Sequence, residues 1–283
     1  MQEWQRPLRP GEKPNTPPAE KAEETDERIY IDEALKKIDS VGIFEKDYLK
    51  NIKIVVFEYN QGRARIFENG TIRDADAEEL SAQDFMQGRR TDFVGIHPKE
   101  AFLNFDLKNL TDKQFLPFLF FKGRLTYEEF VAHEMAHNVF DLQYKSKYGD
   151  YDERDGLTDV SEEYRESILP KIKGLIGTEY PNLELDRFDF SRQQISEIYA
   201  LMCQREYCTR AEDDFKINDD LRNRMKKFLE EPEKGLADFN KENSRNCDML
   251  DFYAENHIVS MIIVPLLEEE YPDFKKRIEF FNL

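Results

Sequence analysis

Residues 131–141 read VAHEMAHNVFD and hold two of the chain's four histidines, at positions 133 and 137. Upstream, Thr126 followed three residues later by Glu129 is the signature of a capping box, which predicts a helix starting at about Tyr127. On a helix, residues four apart share a face and lie roughly 6 Å apart along the axis, so both imidazoles can reach one ion. Glu134 directly follows His133 and stands about 100° round the helix, which puts its carboxylate beside the ion and not on it. There it can take a proton from a metal-bound water, and this is the HExxH arrangement. The expected site face carries Phe130, His133, Glu134, His137 and Phe140 or Asp141, and the expected packing face carries Val131, Met135, Val139 and Leu142. Ala132 and Ala136 are small enough to leave room near the ion.

Two imidazole nitrogens, a carboxylate and one open position describe a catalytic zinc site, so Zn2+ is the expected metal, with His133 and His137 as two of its ligands. A downstream Glu or Asp has to be the third. The best source is residues 193–207, QQISEIYALMCQREY, where Glu197 stands among Ile195, Ile198, Leu201 and Met202. A carboxylate in such surroundings is costly unless it is paired or metal-bound. The acidic stretch 149–163, GDYDERDGLTDVSEE, is the alternative source of an aspartate ligand. It is not a calcium loop: counting from Asp150, position five is Arg154 and position six is Asp155 where a glycine is needed. A solvated acidic loop is expected, rimming the cleft. Asp141, one turn after His137, is the expected partner for a ligand histidine.

The HEMAH segment at 133–137, followed by EIYA at 197–200, resembles the paired motifs of gluzincin-type zinc metallopeptidases, with some similarity to the lethal-factor-like peptidases. The resemblance covers these two short motifs. It implies that His133, His137 and Glu197 ligate zinc and that Glu134 is the general base. Phe140 and Gln143 replace the glycine and histidine of metzincins, so that class is excluded. Two positions depart from the gluzincin pattern. Leu201 stands where relatives often carry an acidic residue supporting a zinc histidine, and Phe190 stands where the lethal-factor-like enzymes have an oxyanion-steadying tyrosine. Candidates for the oxyanion group are His257, Tyr199, Tyr207 and Tyr253, with Asp251 or Asp248 to orient His257.

The rest of the chain predicts an α+β fold. A small, mainly antiparallel N-terminal sheet packs on the zincin helix, and a largely helical C-terminal part follows. Residues 1–27, rich in Pro, Glu and Lys, are expected to be a disordered tail. Residues 28–283 form the metallopeptidase-like domain, with a sheet-containing part at 28–125 and a helical part at 126–283. A short helix is expected within 30–50. Residues 52–59 read as a buried strand paired with 63–70 across Gln61-Gly62, and 92–107 as one or two further strands. Residues 100–105, EAFLNF, are the expected edge for an extended substrate, and His97 before Pro98 is expected to be structural. Pro117 limits any helix at 111–123. Later helices are expected at 161–176, 191–209, 217–230, 249–268 (bent near Pro265) and 272–282.

A formal net charge of −18 opposes general binding to nucleic-acid phosphates or to anionic lipid. The longest apolar run, 258–267, is too short to span a bilayer and contains Pro265. The N-terminal segment has no apolar core of the secretory kind, and the three cysteines (203, 208 and 247) form no CxxC pair. Reduced, mostly buried thiols and a cytoplasmic location are expected. The sequence therefore predicts a zinc-dependent metallopeptidase acting on a peptide or protein. Its alternative is a zinc-retaining regulatory or interaction protein with a degenerate peptidase fold, which the departures at Leu201 and Phe190 favour.

Overall fold

The computed structural model describes residues 23–58, 63–75, 91–96, 126–154, 157–181, 183, 190–211, 223, 226–227, 230–243 and 252–283. The chain begins there with two helices, α1 (Glu23–Val41) and α2 (Lys46–Asn51). Four strands follow: β1 (Ile54–Glu58), β2 (Arg63–Glu68), β3 (Thr71–Asp74) and β4 (Val94–Ile96). The sheet order is β3-β2-β1-β4. β1 and β2 form the expected antiparallel hairpin, with Val55 opposite Ile66, and β3 continues it antiparallel to β2. β4 lies parallel to β1, with Val55 opposite Gly95. The sheet is thus mixed, and a parallel neighbour needs a crossover that no local pattern in 92–107 reveals.

Helix α3 (Tyr127–Tyr148) starts where its capping box requires. The Thr126 hydroxyl accepts the Glu129 N–H at 3.2 Å, and the Thr126 N–H donates to Glu129 Oε2 at 3.4 Å. It stops at Gly149, whose φ of 84° is open to glycine at little cost and whose N–H returns to the Lys145 carbonyl at 3.0 Å. Two short strands, β5 (Asp152–Arg154) and β6 (Leu157–Asp159), make an antiparallel pair within the stretch expected to be a loop. Next come α4 (Glu162–Glu179), α5 (Arg192–Arg210), α6 (Pro232–Asn243), α7 (Phe252–Glu270) and α8 (Phe274–Phe280). The α4, α5, α7 and α8 spans fall close to the expected ones, whereas α6 was not anticipated. The strand at 100–105, the segment 111–123 and His97 lie outside the described residues; of the helix expected at 217–230, residues 223, 226, 227 and 230 are described, and all four are helical.

The expected tail boundary at 27 falls inside α1. Glu27 is buried and accepts a hydrogen bond from the Tyr127 hydroxyl at 3.2 Å, which ties α1 to the start of α3. Cys203 and Cys208 are buried free thiols, as expected. No helix among the described residues is long and apolar enough to cross a membrane.

Among the described residues two hydrophobic clusters form the core, and α3 contributes to both. Its first half, with Tyr127, Val131, Ala132 and Met135, packs with Ile31, Ala34 and Ile38 of α1 and Ile54, Val56, Phe67, Val94 and Ile96 of the sheet. Its second half, with Ala136, Phe140 and Tyr144, packs with Ile168 and Ile172 of α4, Ile198 and Met202 of α5, and Ile263 and Leu267 of α7. Ala132 and Ala136 are fully buried, so their small size serves helix packing. Leu142, expected on the packing face, is 39% exposed, while Phe140 and Asp141 are buried.

Candidate metal centre

The helical spacing of His133 and His137 brings their Nε2 atoms to 3.1 Å from each other. Glu197 approaches from the second turn of α5, with Oε1 3.5 Å from His133 Nε2 and Oε2 3.3 Å from His137 Nε2. The ligand-type atoms of the three residues all lie within 4.8 Å of one another. Glu197 is buried and the two histidines are half-buried, so one side of the cluster stays open to solvent.

The far nitrogens of both rings are held. His133 Nδ1 lies 3.0 Å from Gln204 Oε1, and His137 Nδ1 lies 2.7 Å from Ser196 Oγ. An amide oxygen only accepts, so His133 carries a proton on Nδ1, and when the ring is neutral the lone pair of Nε2 is turned toward the cluster. A partner on the outer nitrogen that fixes tautomer and ring orientation is the support that metal-ligating histidines use. Two Nε2 atoms 3.1 Å apart and a carboxylate within 3.5 Å of each hold together only with a cation or a proton among them. The donor set therefore fits a divalent metal of the zinc type.

Electrostatics describe the same cluster in its metal-free form. Burial works against a charge on His133, but the Glu197 carboxylate, with help from Glu134 and Gln204, outweighs it and lifts the pKa to about 9. The proton is then the cation at the centre. Glu134, next to His133 on α3, is half-buried and close enough to contribute to that shift.

Other expected residues are placed elsewhere. Asp141 does not support a ligand histidine: its carboxylate accepts from the Tyr151 hydroxyl and from Arg192 Nη2. Tyr199 belongs to the aromatic core, 5.6 Å from Phe140 and 5.1 Å from Phe281 by ring centroids, with its hydroxyl 3.3 Å from Gln143 Oε1. Tyr207 is fully buried in the sheet-side cluster. His257 and Tyr253 fall in α7, but their side chains lie outside the described residues, as do Asp248 and Asp251. Leu201 and Phe190 are core residues. Phe190 holds a left-handed φ of 45° at full burial just before α5.

Sequence reasoning missed Ser196 and Gln204. The one trace in the sequence is that Gln204 stands two turns after Glu197 on one face of a helix rich in apolar residues; the burial of both is a property of the fold. No family model, curated protein or solved structure matches this chain.

Proposed function

We propose that the chain is a zinc-dependent metallopeptidase of the gluzincin type. The observation that carries this reading is the convergence of His133, His137 and Glu197, with Glu134 between the two histidines in sequence. His133 and His137 would hold the metal through Nε2 and Glu197 through its carboxylate, while Gln204 and Ser196 orient the rings. Bound zinc supplies Lewis acidity toward a scissile carbonyl and makes a water acidic near neutral pH. Glu134 accepts the proton of the attacking water and later delivers it to the leaving amine nitrogen. Peptides or proteins are the substrate class that this chemistry serves.

The test is a proteome-derived peptide library incubated with wild type and with Glu134→Gln, cleavage being read by mass spectrometry. Glu134→Gln keeps size and hydrogen bonding but removes the base. Cleavage should fall by roughly 100-fold to 10,000-fold while zinc content stays at the wild-type level. Equal cleavage by both proteins would remove Glu134 from the mechanism. One observation favours the second reading, a zinc-retaining regulatory or interaction protein: Tyr199 and Phe190 are both held in the core. Zinc bound by a wild type that cleaves nothing is the result expected of such a protein.

A further inference from the structure

Contacts between α3 and α5 follow one another in opposite chain order: His133 meets Gln204, His137 meets Ser196, and Asp141 meets Arg192. The two ligand helices are therefore antiparallel, and the third contact lies one turn beyond the second on each. It is a buried ion pair. Arg192 Nη2 donates to Asp141 Oδ2 at 2.6 Å, and both side chains are only 8% exposed. The guanidinium also stacks 4.6 Å above the Tyr151 ring, whose hydroxyl donates to Asp141 Oδ1. The Arg192 backbone N–H donates to Asp159 Oδ1 at 2.9 Å, so a carboxylate from β6 caps the start of α5, where the Ser191 side chain makes no cap bond.

We propose that Asp141 and Arg192 are positioning residues for the metal centre, setting the register of α5 on α3 so that Glu197 meets both imidazoles. This rests on the metal-centre reading. Beyond these rungs and the Tyr199–Gln143 hydrogen bond, the two helices bring mostly apolar side chains to a shared core, Phe140 from α3 and Ile195, Ile198, Ala200 and Met202 from α5. Apolar contacts tolerate a slide or a rotation, because the hydrophobic effect has no direction. A charge-assisted guanidinium–carboxylate contact has a fixed geometry, and Arg192 adds a stacked ring and a backbone cap to it. Buried ion pairs add little net stability over apolar residues of the same size, so a role in register accounts for this one better than a role in stability. Because Arg192 precedes Ser196 and Glu197 by about one turn, a shift at the ion pair reaches both of them.

The experiment measures zinc affinity by chelator competition and the visible spectrum of the cobalt(II)-substituted protein, with circular dichroism and thermal melting alongside. The proteins are wild type, Asp141→Asn, Arg192→Met, Arg192→Lys and Glu268→Gln. The last removes the carboxylate that Arg205 grips at 2.8 and 2.5 Å, a contact tying α5 to α7 outside the three rungs. Asp141→Asn and Arg192→Met should weaken zinc binding by roughly 10–100-fold and alter the cobalt bands, the range seen when support around ligands is lost. Arg192→Lys should recover part of the loss, and Glu268→Gln should leave affinity and spectrum unchanged. Folded Asp141→Asn and Arg192→Met proteins with wild-type affinity and spectrum would overturn the proposal while leaving the metal centre intact. An equal loss in Glu268→Gln would overturn it too, by showing a general effect of stability. If Arg192→Met does not fold, Arg192→Lys decides by the same criterion. Failure of wild type to take up one zinc would instead bring down the metal-centre reading and the proposal with it.

Discussion

His133 presents Nδ1 to the side-chain oxygen of Gln204 at 3.0 Å, across the interface of α3 and α5. A neutral amide here occupies the role that a carboxylate often fills at zinc histidines. Gln204→Leu keeps much of the side-chain volume and removes the acceptor. Zinc affinity should fall by roughly 10–100-fold, with most of the metal still bound at micromolar zinc. His137→Ala, which removes a ligand outright, should strip most of the metal. Zinc content by mass spectrometry and affinity by chelator competition check both. Equal zinc loss in the two variants would place Gln204 among the ligands, and no loss in Gln204→Leu would deprive it of any role.

Zinc binding should be coupled to a proton. The His133 pKa in the metal-free protein is about 9, above the ordinary 6.5. At pH 7 the ring is therefore protonated and has to lose that proton to become a ligand. Zinc affinity should rise as pH increases from about 7 and level off above about 9, with a slope approaching tenfold per pH unit. Stability of the metal-free fold runs the other way. The favourable contribution of protonated His133 is complete below 6.5 and is lost as pH rises through 9. Calorimetric titration with zinc at pH 7, in buffers of different ionisation enthalpy, should report close to one proton released. Heats that do not depend on the buffer would contradict the raised pKa.

Phe190 offers a test of backbone conformation against packing. Its ring is fully buried while its φ of 45° lies in the left-handed region, which disfavours any residue with a Cβ. Phe190→Ala should cost about 3–5 kcal/mol through the cavity it leaves. Phe190→Gly loses the same ring but is free to adopt this φ, so it should be less destabilised than the alanine variant by about 1 kcal/mol. Urea unfolding of the three proteins measures this. A glycine variant less stable than the alanine variant would show that φ relaxes once the ring is gone.

Much of the centre was legible because it is encoded by short-range spacing. Thr126 and Glu129 announced the start of α3, His133 and His137 announced its site face, and Glu197 stood out as a carboxylate among apolar neighbours. Contacts between distant segments were not legible. The parallel placement of β4 depends on a crossover, and nothing local to residues 94–96 encodes the partner strand. Asp141 sits at the correct helical interval for supporting His137, yet Arg192 and Tyr151 engage it first. Ser196 and Gln204 are ordinary polar residues until α5 is laid against α3 and buries them. The boundary at residue 27 misled for a related reason. Composition marks Glu27 as tail, whereas in the fold it is buried and accepts from the Tyr127 hydroxyl across the interface.

The membership of α3 in both hydrophobic clusters has a thermodynamic consequence. Its first half closes the sheet-side cluster, its second half closes the helical one, and α5 likewise reaches both, through Tyr207 and Cys208 on one side and Ile195 to Cys203 on the other. His133 and His137 straddle the seam between the two halves of α3. A cation held there would favour the state in which α3 and α5 are packed together, and through them it would stabilise both clusters by mass action. If the proposed metal binds, saturation should merge the melting of the sheet and of the helical layer into one transition, and chelation should allow them to separate.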